Sequence, residues 1–356
     1  MSDRQTSQPL LSPLRALRVR RWTTTSRLFT GGSLALTFAL FFVPLVLSAN
    51  VTQKLTSLLI LIIMAVMWNA LAGYGGLVSV GQQAYIGVGA YATVYLAHQG
   101  IDPFLAMVLA TLLAGAMSVP VSFVLLRLTG GQFAIASWVV AEVFAVLVSF
   151  IASLGAGTGI SLIELNRYAM EDRQAFTFWL TLAMTTISLA VIFILLRSRL
   201  GASLQAIRDD EGAAASIGVK VMVRKRMLYV VASLGCGAAG AMTLANTQFI
   251  QPNSIFSVQW TAFMIFMVLV GGIGTFEGPI IGAVLLFLIQ DLFADQGSWY
   301  LVGLGMTAIL FALLLPRGLW GALEERIGLR LMPVGYWIGG LGEAAHVSDS
   351  ASGIEE

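Results

Sequence analysis

Three stretches of the chain carry residues whose types and spacing could do chemistry. One is Arg208-Asp209-Asp210-Glu211, inside "RSRLGASLQAIRDDEGAAASIGVKVMVRKR" at 197–226. Another is "GAGTGISLIELNRYAMEDR" at 155–173, which gathers Glu164, Arg167, Glu171, Asp172 and Arg173. The last is Glu142 in "ASWVVAEVFAVLV", a carboxylate inside an apolar run, where an ionisable group is expensive and by default functional. None of the three has a catalytic arrangement. The chain contains no GxSxG elbow, HExxH or Walker A stretch, and "GVGAYA" at 87–92 lacks the third glycine and acidic residue of a dinucleotide site. His98 and His346 are far apart and Cys236 is the single cysteine, so no metal-ligand spacing and no intramolecular disulfide exist. The chain therefore reads as a non-enzyme without cofactor or metal.

The elements that position these residues are apolar. Hydrophobic residues make up 58% of the chain and charged residues 11%, with a mean hydropathy of +0.86. Soluble domains carry roughly a quarter charged residues. Water is thus the wrong solvent for most of this surface, and the chain reads as an all-α polytopic membrane protein. Candidate spans fall near 33–49, 55–72, 84–98, 104–126, 133–153, 177–196, 227–247, 260–271, 279–293 and 299–315, so about eight to ten helices are expected. With both termini cytoplasmic, only Lys54, Arg167 and Arg173 of the 20 basic residues fall outside cytoplasmic segments, as the positive-inside rule requires. The expected organisation is a basic tail over 1–32, a transmembrane domain over 33–316 and a cytoplasmic tail over 317–356. The basic residues flank spans without interleaved aromatics, which gives nucleic-acid binding no support.

Two glycine-rich stretches interrupt the apolar pattern. "GYGGLVSVGQQAYIGVGAYATVYLA" begins at Gly73, and "GGIGTFEGPIIGA" covers 271–283. Gly274, Gly278 and Gly282 stand four apart and would line one face of any helix formed there, letting another helix approach closely. Pro279 and Gly271-Gly272 argue for a break. Unwound backbone at membrane depth is tolerated where it lines a cavity or is buried in protein, so broken or re-entrant segments at both places read either as walls of a substrate pathway or as tight packing seams. In 197–226, Leu200, Leu204, Ile207, Ala214 and Ile217 form a moderately apolar helical stripe opposite "RDDE", ending at Gly218. Such a helix in a basic loop can lie on the bilayer or dock into a partner.

Four ordered motifs resemble the LivM-like permease subunit of branched-chain amino acid ABC importers. Gly73, Gly76, Ser79, Gly81, Ala84, Tyr85, Gly87, Gly89, Ala90 and Tyr91 follow the family run G-x-x-G-x-x-S-L-G-x-x-A-F-x-G-I-G-A-Y, with Val80 and Val88 in place of its Leu and Ile. Gln83 stands where the family often has histidine. "LRLTGGQFAIASWVVAEVF" at 125–143 puts Glu142 on the family's glutamate, with Ser137 and Trp138 replacing Thr-Leu. Gly201, Ala206, Ile207, Arg208, Glu211, Ala214 and Gly218 match a third motif, although Ala202 replaces its arginine. "GGIGTFEGPIIGA" is similar to the fourth, with Pro252 ahead of it. The matches run from about 73 to 283.

The resemblance implies a second permease subunit, two ATP-binding subunits and a periplasmic substrate-binding protein as partners, in a bacterial inner membrane. It implies that 199–218 is the coupling segment, with Gly201, Leu204, Ile207, Arg208, Asp210, Glu211, Ala214 and Gly218 facing the ATPase. Gly73, Gly76, Ser79, Gly81, Gln83, Tyr85, Gly87, Gly89, Tyr91, Glu142, Gly271, Gly272 and Gly274 are the expected pathway residues, and Gly274, Gly278 and Gly282 the expected packing face. Relatives of the family also take urea or short amides, and the rival reading is an ATP-independent carrier or channel.

Overall fold

The computed structural model describes residues 18–20, 24–293, 299–315, 317–327 and 337–339. The chain divides into two units, one of 1–33 with 330–356 and one of 34–329. In the first, strands β1 (Arg18–Arg20) and β4 (Trp337–Gly339) pair antiparallel, Arg18 opposite Gly339. The rest of the expected tails lies largely outside the described residues, and helix α1 (Thr24–Phe41) begins inside the stretch expected to be a tail.

The larger unit is helical. After α1 come α2 (Val43–Val46), α3 (Ala49–Asn69), a wide π-type turn at Ala70–Tyr74, α4 (Gln83–His98), α5 (Pro103–Leu125), α6 (Gly130–Ser149) and α7 (Met170–Arg197). The second half contains α8 (Arg199–Asp209), α9 (Glu211–Ser216), α10 (Val221–Thr247), α11 (Pro252–Ile255), α12 (Val258–Gly271), α13 (Gly278–Phe293), α14 (Trp299–Leu314) and α15 (Gly318–Ile327). Strands β2 (Ile160–Ser161) and β3 (Phe249–Ile250) form a two-residue antiparallel pair. Every apolar stretch expected to span is helical. Among the described residues, seven are long and apolar enough to cross a membrane. The other three, Thr30–Val46, α4 with 16 residues and Gly278–Phe293, fall short of the roughly 20 residues a straight crossing needs.

Helices α3 and α10 form the centre. Helix α10 packs on α3, α4 and α5, α3 also packs on α7 and α13, and α12 pairs with α13. Small residues make these seams close. A Cβ on Gly240 of α10 would overlap the Ile86 carbonyl of α4, and one on Gly282 of α13 would overlap the Met267 carbonyl of α12. In lipid, where water offers no hydrophobic drive between helices, such backbone approach is a main source of association. By contrast α6 and α14 expose long apolar faces, including Val139, Val143, Ile309 and Leu313.

The segment expected as one amphipathic helix is two. Asp210 adopts extended backbone (φ −155°, ψ 111°), and its carboxylate accepts from Ala213 N at 2.9 Å. Asp is among the strongest N-caps, and here it ends α8 and starts α9 in the middle of the stripe. Ala214 beyond the break is still buried, whereas Ile217, expected on the apolar stripe, follows the end of α9 and is exposed, and Gly218 (φ +87°) lies two residues beyond that end.

Candidate coupling site at the two helix breaks

The two glycine-rich breaks meet. Asn69, the last residue of α3 and almost fully buried, holds the loop after α12 with both ends of its amide. Its Nδ2 donates to Thr275 O at 2.8 Å and its Oδ1 accepts from Gly274 N at 2.9 Å. A Cβ on Gly73 would overlap Asn69 Oδ1 and stand 2.6 Å from Gly274 N, so only glycine lets the breaks approach this closely. The loop itself turns through left-handed backbone at Gly272 (φ +131°) and Gly274 (φ +75°). That geometry corrects the expected packing face: Gly274 lies in the loop, and only Gly278 and Gly282 share a helical face.

Arg208 joins α8 to the same place. Its Nη1 donates to the Gly73 carbonyl at 2.9 Å, while Nε and Nη2 hold Asp209 Oδ1 at 3.0 and 2.8 Å. Gly76 (φ +66°) lies against the stem of Arg208. The Gly73 carbonyl is available because the helix ends at the π-type turn over 70–74, and the last carbonyls of a helix have no intrahelical partner; such turns recur at functional sites. Helix α8 is seated by Gly201, Leu204 and Ile207, all buried. Helix α9 is tied to α10 by Glu211, whose carboxylate pairs with the nearly buried ammonium of Lys225 at 2.5 Å.

The remaining expected pathway residues fall into two groups. Ser79 accepts from Gly81 N at 3.3 Å and from Gln82 Nε2 at 3.4 Å, and Ser137 Oγ of α6 accepts from Val80 N at 3.1 Å. Gln83 accepts from Thr261 of α12, and Tyr85 shares a hydroxyl bond with Tyr229 at 3.0 Å. Gly87 lies under the Phe256 ring, Gly89 against the Gly237 carbonyl, Gly271 against Gly278, and Tyr91 stacks on Phe256. All of these are buried between helices of this chain. Glu142 stands apart from them. It is exposed on α6, where Trp138 Nε1 donates to it at 3.0 Å, beside a shallow groove of about 340 Å³ along Val139, Val143, Val146 and Leu147.

Asn69 and Lys225 were not among the expected functional residues. Asn69 has a signal in "MAVMWNALAGYGG", a lone amide in an apolar run just before a break. Lys225 has none, because in sequence it is one of four cations in "RKR" and its surroundings.

A profile of the family described as "Branched-chain amino acid transport system / permease component" matches residues 50–315. The chain belongs to this family. It is 28% identical over 314 residues to the high-affinity branched-chain amino acid transport system permease protein LivM of Escherichia coli K12, covering 81% of this chain and 74% of that protein. The Salmonella typhimurium LivM gives the same identity and coverage. A probable LivM of Methanocaldococcus jannaschii is 27% identical over 143 residues, 40% of this chain and 41% of that one. Among solved structures the chain is similar to PsaBC from Streptococcus pneumoniae in complex with Fab, at a TM-score of 0.48 and 15% identity, with 80% of this chain and 99% of that chain covered. The permease is thus a multi-pass membrane protein of the branched-chain amino acid transport family.

Proposed function

We propose that this permease is the membrane subunit of an ATP-driven importer for branched-chain or other hydrophobic amino acids in a bacterial inner membrane. A periplasmic binding protein delivers the substrate, and two ATP-binding subunits sit against α8 and α9 on the cytoplasmic side. The observation that carries this reading is the contact of Arg208 with Gly73. A short amphipathic helix in the most basic loop reaches, through one guanidinium, the point where both interrupted helices meet. Movement of α8 imposed by an ATPase would shift the Gly73 carbonyl directly and the 272–277 loop through Asn69. Such a link between a docked helix and irregular backbone at depth gives an external motor a direct hold on the membrane domain.

The expected pathway residues take two roles in this reading. Those of 79–91 hold the break rigidly against α6, α10 and α12. Glu142 and Trp138 mark the face that meets a second permease subunit, because a carboxylate on an otherwise apolar helix face is costly against lipid and tolerable against protein or a water-filled path. The test is reconstitution with the co-purifying ATPases and binding protein. Leucine uptake should require ATP in the wild type and be lost on Arg208→Glu, while the protein still inserts and assembles. Normal ATP-driven uptake by that variant would remove α8 from the coupling role.

A further inference from the structure

A second site lies at the opposite end of the helices from α8 and α9. Helix α7 runs 28 residues, about 40 Å at 1.5 Å per residue, from Met170 to Arg197 beside α8. Around its first turns, the start of α3 and the end of α10 enclose a partly open cavity of about 260 Å³. That is just below the ~300–1,000 Å³ of pockets for drug-sized ligands, and suits a smaller molecule.

The cavity is polar and asymmetric in charge. Arg173 lines it, and among the described residues no carboxylate pairs with its guanidinium. Two neutral amides orient it instead. Nη1 donates to Asn166 Oδ1 at 3.0 Å, and with the Gln248 amide oxygen turned toward it, Nη2 and Nε donate at 2.9 and 3.3 Å. Gln248 holds this place in left-handed backbone (φ +62°), strain that a non-glycine residue keeps only when its surroundings enforce it. Thr177, one turn further along α7, is 4% exposed, lines the same cavity, and its Oγ1 has no hydrogen-bond partner. A buried hydroxyl without a partner is rare enough to need a reason. On the other wall is the last turn of α10, whose carbonyls form the negative end of a long helix. The cavity therefore presents a positive group and a spare hydroxyl on one side, and a negative helix end on the other.

We infer that this cavity binds the zwitterionic head of an α-amino acid, its carboxylate on Arg173 and Thr177 and its ammonium toward the end of α10. The choice of an amino acid rests on the importer reading; the preference for a zwitterion rests on the cavity. Apolar lining is sparse, Met170 and Ala245, so the site grips the head and tolerates different side chains. Its affinity is weak, on the order of millimolar, as a stop on a route requires, since a substrate that binds tightly cannot leave.

The test uses the full-length chain in nanodiscs and saturation-transfer NMR with L-leucine. Competitors are 4-methylpentanoate, which lacks the ammonium, and isopentylamine, which lacks the carboxylate. Leucine should bind, L-isoleucine should displace it, and neither truncated analogue should compete comparably. Arg173→Gln should weaken binding by about ten-fold or more, as loss of a charge-assisted pair implies. Thr177→Val should weaken it several-fold while the melting temperature stays equal or rises, because the variant removes an unpaired buried hydroxyl. Absence of leucine binding, equal competition by either truncated analogue, or full affinity in both variants would overturn the assignment. Leucine uptake by the assembled importer separates the two claims. ATP-driven uptake with binding indifferent to Arg173 ends the cavity proposal alone. Arg173-dependent binding without ATP-driven uptake of any amino acid ends the importer reading and leaves the cavity standing.

Discussion

Arg208 Nη1 lies 2.9 Å from the Gly73 carbonyl oxygen, joining residues 135 positions apart in the chain. This bond connects the α8 surface helix to the π-type turn that ends α3, and through Asn69 to the loop between α12 and α13. Arg208→Ala should reduce ATP-coupled uptake at least about ten-fold while costing no more than about 1.5 kcal/mol of stability, the low end for a hydrogen bond to a charged group because the side chain is partly exposed. Arg208→Lys should rescue little, since one ammonium cannot reproduce a planar fork that holds Asp209 and Gly73 together. Uptake assays paired with thermal unfolding in detergent check both.

Asn69→Leu leaves Gly274 N–H and Thr275 C=O without their side-chain partner in a partly buried place. Each lost partner costs about 1–3 kcal/mol, so the melting temperature should fall clearly. Limited proteolysis should locate the loosened segment at 272–277, and cutting elsewhere would show that Asn69 does not hold the loop.

Gly73→Ala should be poorly tolerated for a different reason. The added methyl meets Asn69 and the Gly274 backbone, which cannot swing aside as a flexible side chain does. A cost of about 1–3 kcal/mol is expected from overpacking. Gly303→Ala in α14 is the matched control, because nothing lies within 4 Å of its Cβ position. It should be neutral or stabilising by about 0.5–1 kcal/mol. Comparing the two unfolding curves separates close approach from a general intolerance of methyl groups.

Glu211→Gln removes the partner of Lys225, whose side chain is 9% exposed while that of Glu211 is 47% exposed. An ammonium left nearly buried without a carboxylate costs about 1–3 kcal/mol after allowance for the solvent around Glu211. Lys225→Met with Glu211→Gln should recover most of that loss, and a double-mutant cycle with no coupling energy would show the pair to be incidental.

How far the sequence reveals this architecture differs from residue to residue. The helical stretches are legible because lipid demands long apolar runs, and the breaks because glycine and proline disrupt them. The split of the 199–218 segment is present in "RDDE", but the periodic stripe of Leu204, Ile207 and Ala214 hides it. A cap at Asp210 is a local hydrogen bond that periodicity does not register. That the two breaks touch is tertiary information. Gly73 and Gly274 are 201 positions apart, and nothing in either motif names the other. The polar cavity was harder still, because Arg173 in "YAMEDR" looks like one charge of a solvated loop until Gln248 and Thr177 arrive from distant sequence or the next turn.

In the proposed mechanism an external ATPase drives this permease through α8. The most direct test is leucine uptake into proteoliposomes holding the permease with its co-purified ATPase subunits and binding protein, with ATP supplied or withheld. Uptake is expected with ATP, none without it, and none for Arg208→Glu in an assembly of unchanged composition. Uptake that proceeds equally without ATP, or that survives Arg208→Glu at the wild-type rate, would contradict it.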